Sequence, residues 1–240
     1  MWYDRHALSV LTLLRERFQV KAFLETGTHH GIGTLVWDRL FPEVHTCDIN
    51  AEFLETARRK LAAVRNVNIH ALTSPLFLAA MRESWGQRTD IPIIYPDAHW
   101  YTYWPLLDEL EALKGWSRCI IIIHDFKVEG MGYDSYGGRD LDLALVREPL
   151  TRVNPNFHLY TNSRELSSPL TKQEWHKMFG LEDDPEVRAA LEHAWESEAA
   201  LYRGTLYAVP EDLGNAIPLE MVACPEKPSA LADGVVTDVV

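Results

Sequence analysis

The sequence predicts a doubly wound α/β fold, a mostly parallel seven-stranded sheet with helices on both faces, and three observations predict it. Short apolar runs alternate with helix-like stretches from about residue 20 to residue 162, the pattern of strands joined by crossover helices. The run Ile120-Ile121-Ile122-Ile123 is apolar at every position, as expected of an interior strand covered on both faces. The first apolar run leads into a glycine-rich turn, Glu25-Thr26-Gly27-Thr28-His29-His30-Gly31-Ile32-Gly33, and then into a helix. Such a junction has the general form of a nucleotide cradle, because glycines admit a ligand close to the backbone and helix N-terminal amides attract negative charge.

In chain order, Leu8, Leu11, Leu14 and Phe18 recur at helical spacing, so residues 3–18 read as an amphipathic helix ahead of the first strand. Five parallel strands follow at Lys21–Glu25, Val44–Asp48, Val67–Ala71, Ile91–Tyr95 and Cys119–His124. Their helices begin near Thr34 and span 51–64, 75–85, 102–114 and 139–152. Phe157–Tyr160 and Gly204–Val209 are two further strands, separated by a charged helical insertion at about 171–202. Residues 1–210 thus form one domain. Residues 211–240 form a partly flexible C-terminal extension, and from Pro225 its Pro, Ser, Ala, Asp and Gly suit a loosely held tail.

A hydrophobic content of 47% with 24% charged residues is that of a soluble globular protein, and 240 residues suffice for one sizeable core. The net charge of -12 argues against nucleic acid as a partner, since phosphate binding needs clustered Lys and Arg. Cys47, Cys119 and Cys224 include no Cys-x-x-Cys pair, so neither a zinc-thiolate site nor a disulfide framework is suggested, which suits a reducing cytoplasm. The start Met1-Trp2-Tyr3-Asp4-Arg5-His6 lacks the form of a signal peptide, and no apolar run approaches the roughly 20 residues that span a bilayer. The expectation is a cytoplasmic protein that engages no membrane; its oligomeric state is not legible.

The spacing Thr-Gly-x-x-x-Gly-Ile-Gly also fits the glycine turn of short-chain dehydrogenases. Their proton transfer needs Tyr-x-x-x-Lys, and none of the nine tyrosines has Lys four residues on. The segment Glu25-Thr-Gly-Thr-x-x-Gly-x-Gly-Thr34, followed by Asp48 at the end of the second strand, resembles motif I and its sequel in class I S-adenosylmethionine-dependent methyltransferases. The resemblance covers about residues 20–162 and, more loosely, the chain to 210. It implies a Rossmann-like sheet and S-adenosylmethionine as cofactor, held by Glu25, Gly27, Thr28, Gly31, Gly33, Thr34, Asp48, Ser74 and Asp97. Asp48 falls where the family holds the ribose hydroxyls, a task suited to a carboxylate, which can accept two hydrogen bonds from a vicinal diol. Thr73 and Ser74 stand where many relatives have an acidic residue near the adenine. His29 and His30 stand where they could touch the cofactor carboxylate, but two histidines in an exposed loop read first as solvated, and they are left out of the set.

The fourth strand ends in Tyr95-Pro96-Asp97-Ala98-His99-Trp100 and the fifth in Ile123-His124-Asp125-Phe126, which puts polar groups on the carboxyl edge where open α/β sheets bind ligands. Asp97, His124 and Asp125 make a candidate set for Mg²⁺ or Mn²⁺. This is similar to the metal-dependent O-methyltransferases, including the catechol and macrocin types, and to the cephalosporin-hydroxylase-like branch, with His124 in place of an acid. The alternative is a metal-free hydrogen-bonded edge. His99 is the first candidate for general base, imidazole being the side chain that titrates near neutrality, and Lys127 is the second. Gly130–Gly138 reads as a mobile substrate loop. Trp100, Tyr101, Tyr103 and Trp104 offer rings for a sugar or aryl acceptor, or else core packing.

The activity these features imply is methyl transfer from S-adenosylmethionine to a hydroxyl of a small molecule or glycan. Two alternatives stand beside it: an iron-dependent hydroxylase-like relative using Asp97, His124 and Asp125, and a non-catalytic binding protein that keeps the fold.

Overall fold

The computed structural model describes residues 5–99, 103–162, 203–214 and 222–223, with isolated helical positions at 185, 188, 189 and 192. Its elements are α1 (Arg5–Phe18), β1 (Ala22–Thr26), α2 (Ile32–Leu40), β2 (Glu43–Asp48), α3 (Ala51–Lys60), β3 (Val67–Ala71), α4 (Ser74–Trp85), β4 (Pro92–Pro96), α5 (Leu106–Ala112) and β5 (Ile120–His124). They are followed by a short hairpin, β6 (Ser135–Tyr136) and β7 (Arg139–Asp140), then α6 (Leu143–Val153), β8 (Phe157–Thr161), β9 (Thr205–Pro210) and β10 (Val222–Ala223).

The main sheet runs β10-β8-β9-β5-β4-β1-β2-β3. β3, β2, β1, β4 and β5 are mutually parallel, whereas β9 lies antiparallel to both β5 and β8. The chain is therefore a Rossmann-like α/β fold. All seven expected strands are present, and the two-residue β10 adds an eighth at the edge. The order reverses between β1 and β4, so a crevice opens beside the carboxyl ends of β1, β2 and β4.

Strand periodicity divides the core into two layers. Phe23, Ile93, Ile120 and Ile122 face a layer closed by Leu11 and Leu14 of α1 and by Val36, Trp37 and Leu40 of α2. Leu24, Ile94, Ile121 and Ile123 face the other, closed by Phe77, Leu78 and Met81 of α4, Leu106 and Leu110 of α5, and Val146 and Leu150 of α6. All five residues of β1, β4 and β5 are buried, as a sheet covered on both sides requires.

Three helices are shorter than expected, the first being α3, which ends at Lys60 rather than at 64. The stretch expected to be helical from 139 opens as β7, and α6 starts only at Leu143, where Asp142 caps it by accepting the Leu145 amide at 3.0 Å. Within 102–114, α5 occupies only Leu106–Ala112, with Pro105 at its N-cap. The expected insertion at 171–202, apart from the isolated helical positions, lies outside the described residues, as do Trp100, Tyr101 and the tail from Pro225. Among the described residues no helix is long and apolar enough to cross a membrane.

Candidate cofactor and acceptor cleft

The tightest local constraint is at Gly27, directly after β1. It sits at φ +84°, and a Cβ there would meet the Ala98 Cα and the Asp97 carbonyl oxygen at 3.1 Å each. Only glycine lets the turn lie this close to the end of β4. The Gly27 and Thr28 amides then donate to the Cys47 carbonyl at 2.9 and 3.0 Å, which fastens the turn to β2. Gly31, at φ +78°, opens α2 and packs where a Cβ would lie 3.1 Å from that of Ala57 on α3.

Strand alternation sends Glu25 to the α2 side of the sheet. It is fully buried, and its carboxyl accepts from Thr34 Oγ1 (2.7 Å), Trp37 Nε1 (2.7 Å) and Thr46 Oγ1 (2.8 Å), so it ties β1, β2 and α2 together. Burial pushes its pKa up to about 7 against the opposing pull of these hydrogen bonds. Glu25, Gly31 and Thr34 thus stand behind the turn rather than on the cleft. Thr26 points to the opposite side, and its Oγ1 accepts from the Asp97 and Ala98 amides at 3.0 and 3.1 Å, bracing the end of β4.

The cleft itself has a volume of about 550 Å³, within the roughly 300–1,000 Å³ common for small-molecule sites. Of the residues expected to hold a cofactor, it brings together Gly27, Thr28, Gly33, Asp48, Ser74 and Asp97, and it also includes His99. Asp48 accepts the His29 amide on Oδ2 (2.8 Å) and the Asn50 amide on Oδ1 (2.9 Å). A carboxylate oxygen has two lone pairs, so each retains one acceptor position toward the cleft. The apolar walls are Ile49, Phe53, Leu72 and Pro75, of which Ile49 and Leu72 are exposed at the cleft. None of these four was singled out from the sequence, although Ile49 directly follows Asp48 and Leu72 directly follows β3.

His29 and His30, left out of the expected cofactor set as solvated loop residues, also line the cleft. His29 has φ +48°, and the two rings lie 4.0 Å apart and 4.4 and 5.0 Å from Phe53. No Lys or Arg lines the cleft among the described residues, which contributes the carboxylates Asp48 and Asp97 instead. Burial raises the Asp97 pKa, and the neighbouring Asp125 charge adds to the effect.

The set Asp97, His124 and Asp125 does not assemble as a metal centre. Asp125 Oδ1 is engaged by His124 Nδ1 (3.0 Å) and Arg203 Nε, and Oδ2 accepts from Tyr136 Oη (3.2 Å). His124 and Arg203 overcome the effect of burial and hold the Asp125 carboxyl well below the usual carboxylate range. With its oxygens turned to a cation, an imidazole and a phenol, Asp125 closes an ion-pair network, and no group of three potential ligands converges among the described residues. The residues present therefore do not fit a divalent ion. Asp125 holds φ +59°, a strained value for a non-glycine residue that this network secures.

Lys127 is likewise removed from the base role. Its Nζ lies 2.6 Å from Asp140 Oδ2, and Tyr133 and Ser135 donate to the same carboxylate. The stretch expected to be a mobile loop is in part this hairpin, turned by Gly137 and Gly138, both at positive φ. Tyr136 brings its ring to 5.1 Å from Trp104 and 5.3 Å from His99, which places an aromatic pair beside the His99 end of the cleft.

No protein-family model and no curated protein sequence matches the chain. Its structure is similar to that of the plantazolicin methyltransferase BamL, solved with S-adenosylhomocysteine, at a TM-score of 0.46 and 12% identity over 86% of this chain and 84% of that one. It is also similar to YcgJ of Bacillus subtilis, at 0.46 and 12% over 87% and 100%, and to a putative O-methyltransferase of Klebsiella pneumoniae, at 0.40 and 20% over 84% and 78%. Overlap this loose leaves the function to be argued from the cleft.

Proposed function

We propose that the protein is an S-adenosylmethionine-dependent methyltransferase that methylates a hydroxyl of a small molecule or glycan. The observation that carries this reading is the pairing of a glycine turn with a cleft bearing Asp48 and Asp97 but no Lys or Arg among the described residues. A dinucleotide brings pyrophosphate charge, which such a lining disfavours, whereas S-adenosylmethionine brings a sulfonium and an ammonium cation, which it favours. Its carboxylate suits the first amides of α2, at Ile32 and Gly33. Asp48 has acceptor positions for the ribose hydroxyls, and Ile49, Leu72 and Pro75 supply apolar surface for a flat adenine.

When bound, S-adenosylmethionine supplies an electrophilic methyl group: the acceptor oxygen bonds to the methyl carbon as the carbon–sulfur bond breaks, and the electron pair stays on sulfur. The protein's part is to align the acceptor and take the hydroxyl proton. His99, exposed on the cleft at the end of β4 and beside the Tyr136 ring, is the group for that proton. No step passes through a metal, because Asp125 is already engaged; methyl transfer is expected to persist in excess chelator.

Calorimetric titration with S-adenosylmethionine and S-adenosylhomocysteine tests the reading. Both should bind the native protein, and Asp48→Ala should weaken both by about tenfold or more, the loss expected from a charged hydrogen-bonding group, while circular dichroism stays native. Equal affinity in native protein and variant, or no binding at all, would count against it.

A further inference from the structure

Glu109 is a carboxyl for which the reading above has no use. It lies in the first turn of α5, is fully buried, and neither of its oxygens completes a hydrogen bond of good geometry. The hydroxyls of Ser74 and Thr26 stand close enough to offset part of the burial without completing a bond, and its charge is felt by the Cys47 thiol. These neighbours locate it beneath the cleft: Ser74 and Cys47 line the floor, and Thr26 holds the Asp97 and Ala98 amides that form its end. A buried carboxyl with so little compensation is costly, and such groups concentrate at functional sites.

We propose that Glu109 is a specificity-determining residue of the cofactor end, a carboxylate beneath the floor that favours a sulfonium cation over the neutral thioether left after methyl transfer. The inference rests on the methyltransferase reading and adds to it a means of releasing product. S-adenosylmethionine and S-adenosylhomocysteine share adenine, ribose and amino-acid groups, so the α2 amides and the apolar walls hold both alike, and only the carboxylates, Asp48 and Asp97 on the cleft and Glu109 beneath it, can tell them apart. They differ by a methyl group and one positive charge. Through a low-dielectric floor, a negative charge at Glu109 adds for the first an attraction to the sulfonium that the second lacks.

The groups that face Glu109 fit this role. Thr26 of β1, Cys47 of β2 and Ser74 of α4 bring no positive charge, and Asp97 after β4 and Asp108 on α5 are acidic. Burial first, then these two acids, raise its pKa to about 7. Glu109 is therefore protonated in the empty cleft at mildly acid pH and ionised above neutrality, and a bound cation favours the ionised form.

The test is calorimetry with both ligands on native protein and Glu109→Gln at pH 6 and pH 8. On native protein the preference for S-adenosylmethionine over S-adenosylhomocysteine should grow on the order of tenfold from pH 6 to pH 8, as one unit charge acts through an effective dielectric of about 20. Glu109→Gln should remove that growth and leave S-adenosylhomocysteine affinity unchanged. A preference that does not change with pH in native protein overturns the proposal without requiring the variant to fold, as does a variant that weakens both ligands equally. Failure of both ligands to bind native protein overturns the cofactor reading and this inference with it; binding of both with an unaltered ratio overturns the inference alone.

Discussion

Gly27 and Gly138 have nearly the same backbone angle, φ +84° and +76°, but the structure makes different demands of them. At Gly138 nothing lies within 4 Å of an added Cβ, so alanine meets only the left-handed backbone penalty, about 1 kcal/mol. At Gly27 the added carbon also meets the backbone of Asp97 and Ala98, which cannot yield without shifting the end of β4. Gly27→Ala is expected to cost about 2 kcal/mol or more and to abolish ligand binding, whereas Gly138→Ala leaves binding intact; urea unfolding and calorimetry on the pair check this. Arg203 is a second residue whose worth is local. Its removal leaves the buried Asp125 charge without its cation, so Arg203→Met should destabilise by roughly 3 kcal/mol, a size that breaking a buried pair commonly brings. A loss below about 1 kcal/mol in the same unfolding experiment would show that Asp125 is solvated rather than paired.

The elements show what the sequence made legible and what it hid. Apolar periodicity located α1, the five parallel strands and both later strands, because each buries a face whose spacing is written in neighbouring residues. The start of α6 was misplaced because Arg139 and Asp140 pair back across Gly137-Gly138 before Asp142 begins the helix, although a Gly-Gly dipeptide between short runs is itself a hairpin signal. Asp142→Ala should cost about 1 kcal/mol through loss of the cap to Leu145. It should leave the hairpin in place, visible as unchanged protection of the amides paired between Ser135-Tyr136 and Arg139-Asp140. At the site, Gly27, Asp48, Asp97 and His99 were legible because each stands at the carboxyl end of a strand or within three residues of it. The partners that removed Asp125 and Lys127 from their expected roles were not: Arg203 lies 78 residues from Asp125 and Asp140 lies 13 from Lys127, distances at which no periodicity reports a contact.

At the scale of the whole molecule, the strand order and the separation of two core layers are tertiary facts, and so is the burial of two carboxyls on opposite sides of one sheet. Glu25 faces α2 and Glu109 rises from α5, and burial moves each pKa to about 7. A carboxyl raised in the folded state has a definite sign in stability. Below about pH 4.5 it is neutral in folded and unfolded chain alike and contributes nothing. Between there and pH 7 the unfolded chain ionises while the folded chain keeps its protons, so stability falls; above pH 7 both states are ionised and the loss levels off. The net charge of -12 adds self-repulsion over the same range. Chemical denaturation at pH 5, 6, 7 and 8 should therefore show the greatest stability at the acid end of this series. Glu109→Gln separates the buried group from the surface charge: it should match the native protein at pH 5 and exceed it by roughly 2 kcal/mol at pH 8, since glutamine replaces a carboxyl that must otherwise ionise in the dry floor. If the variant is no more stable than native protein at pH 8, Glu109 is not the uncompensated group its surroundings make it, and the loss of stability with pH belongs to the surface charge and to the other carboxyls that burial raises, Glu25, Asp38 and Asp97.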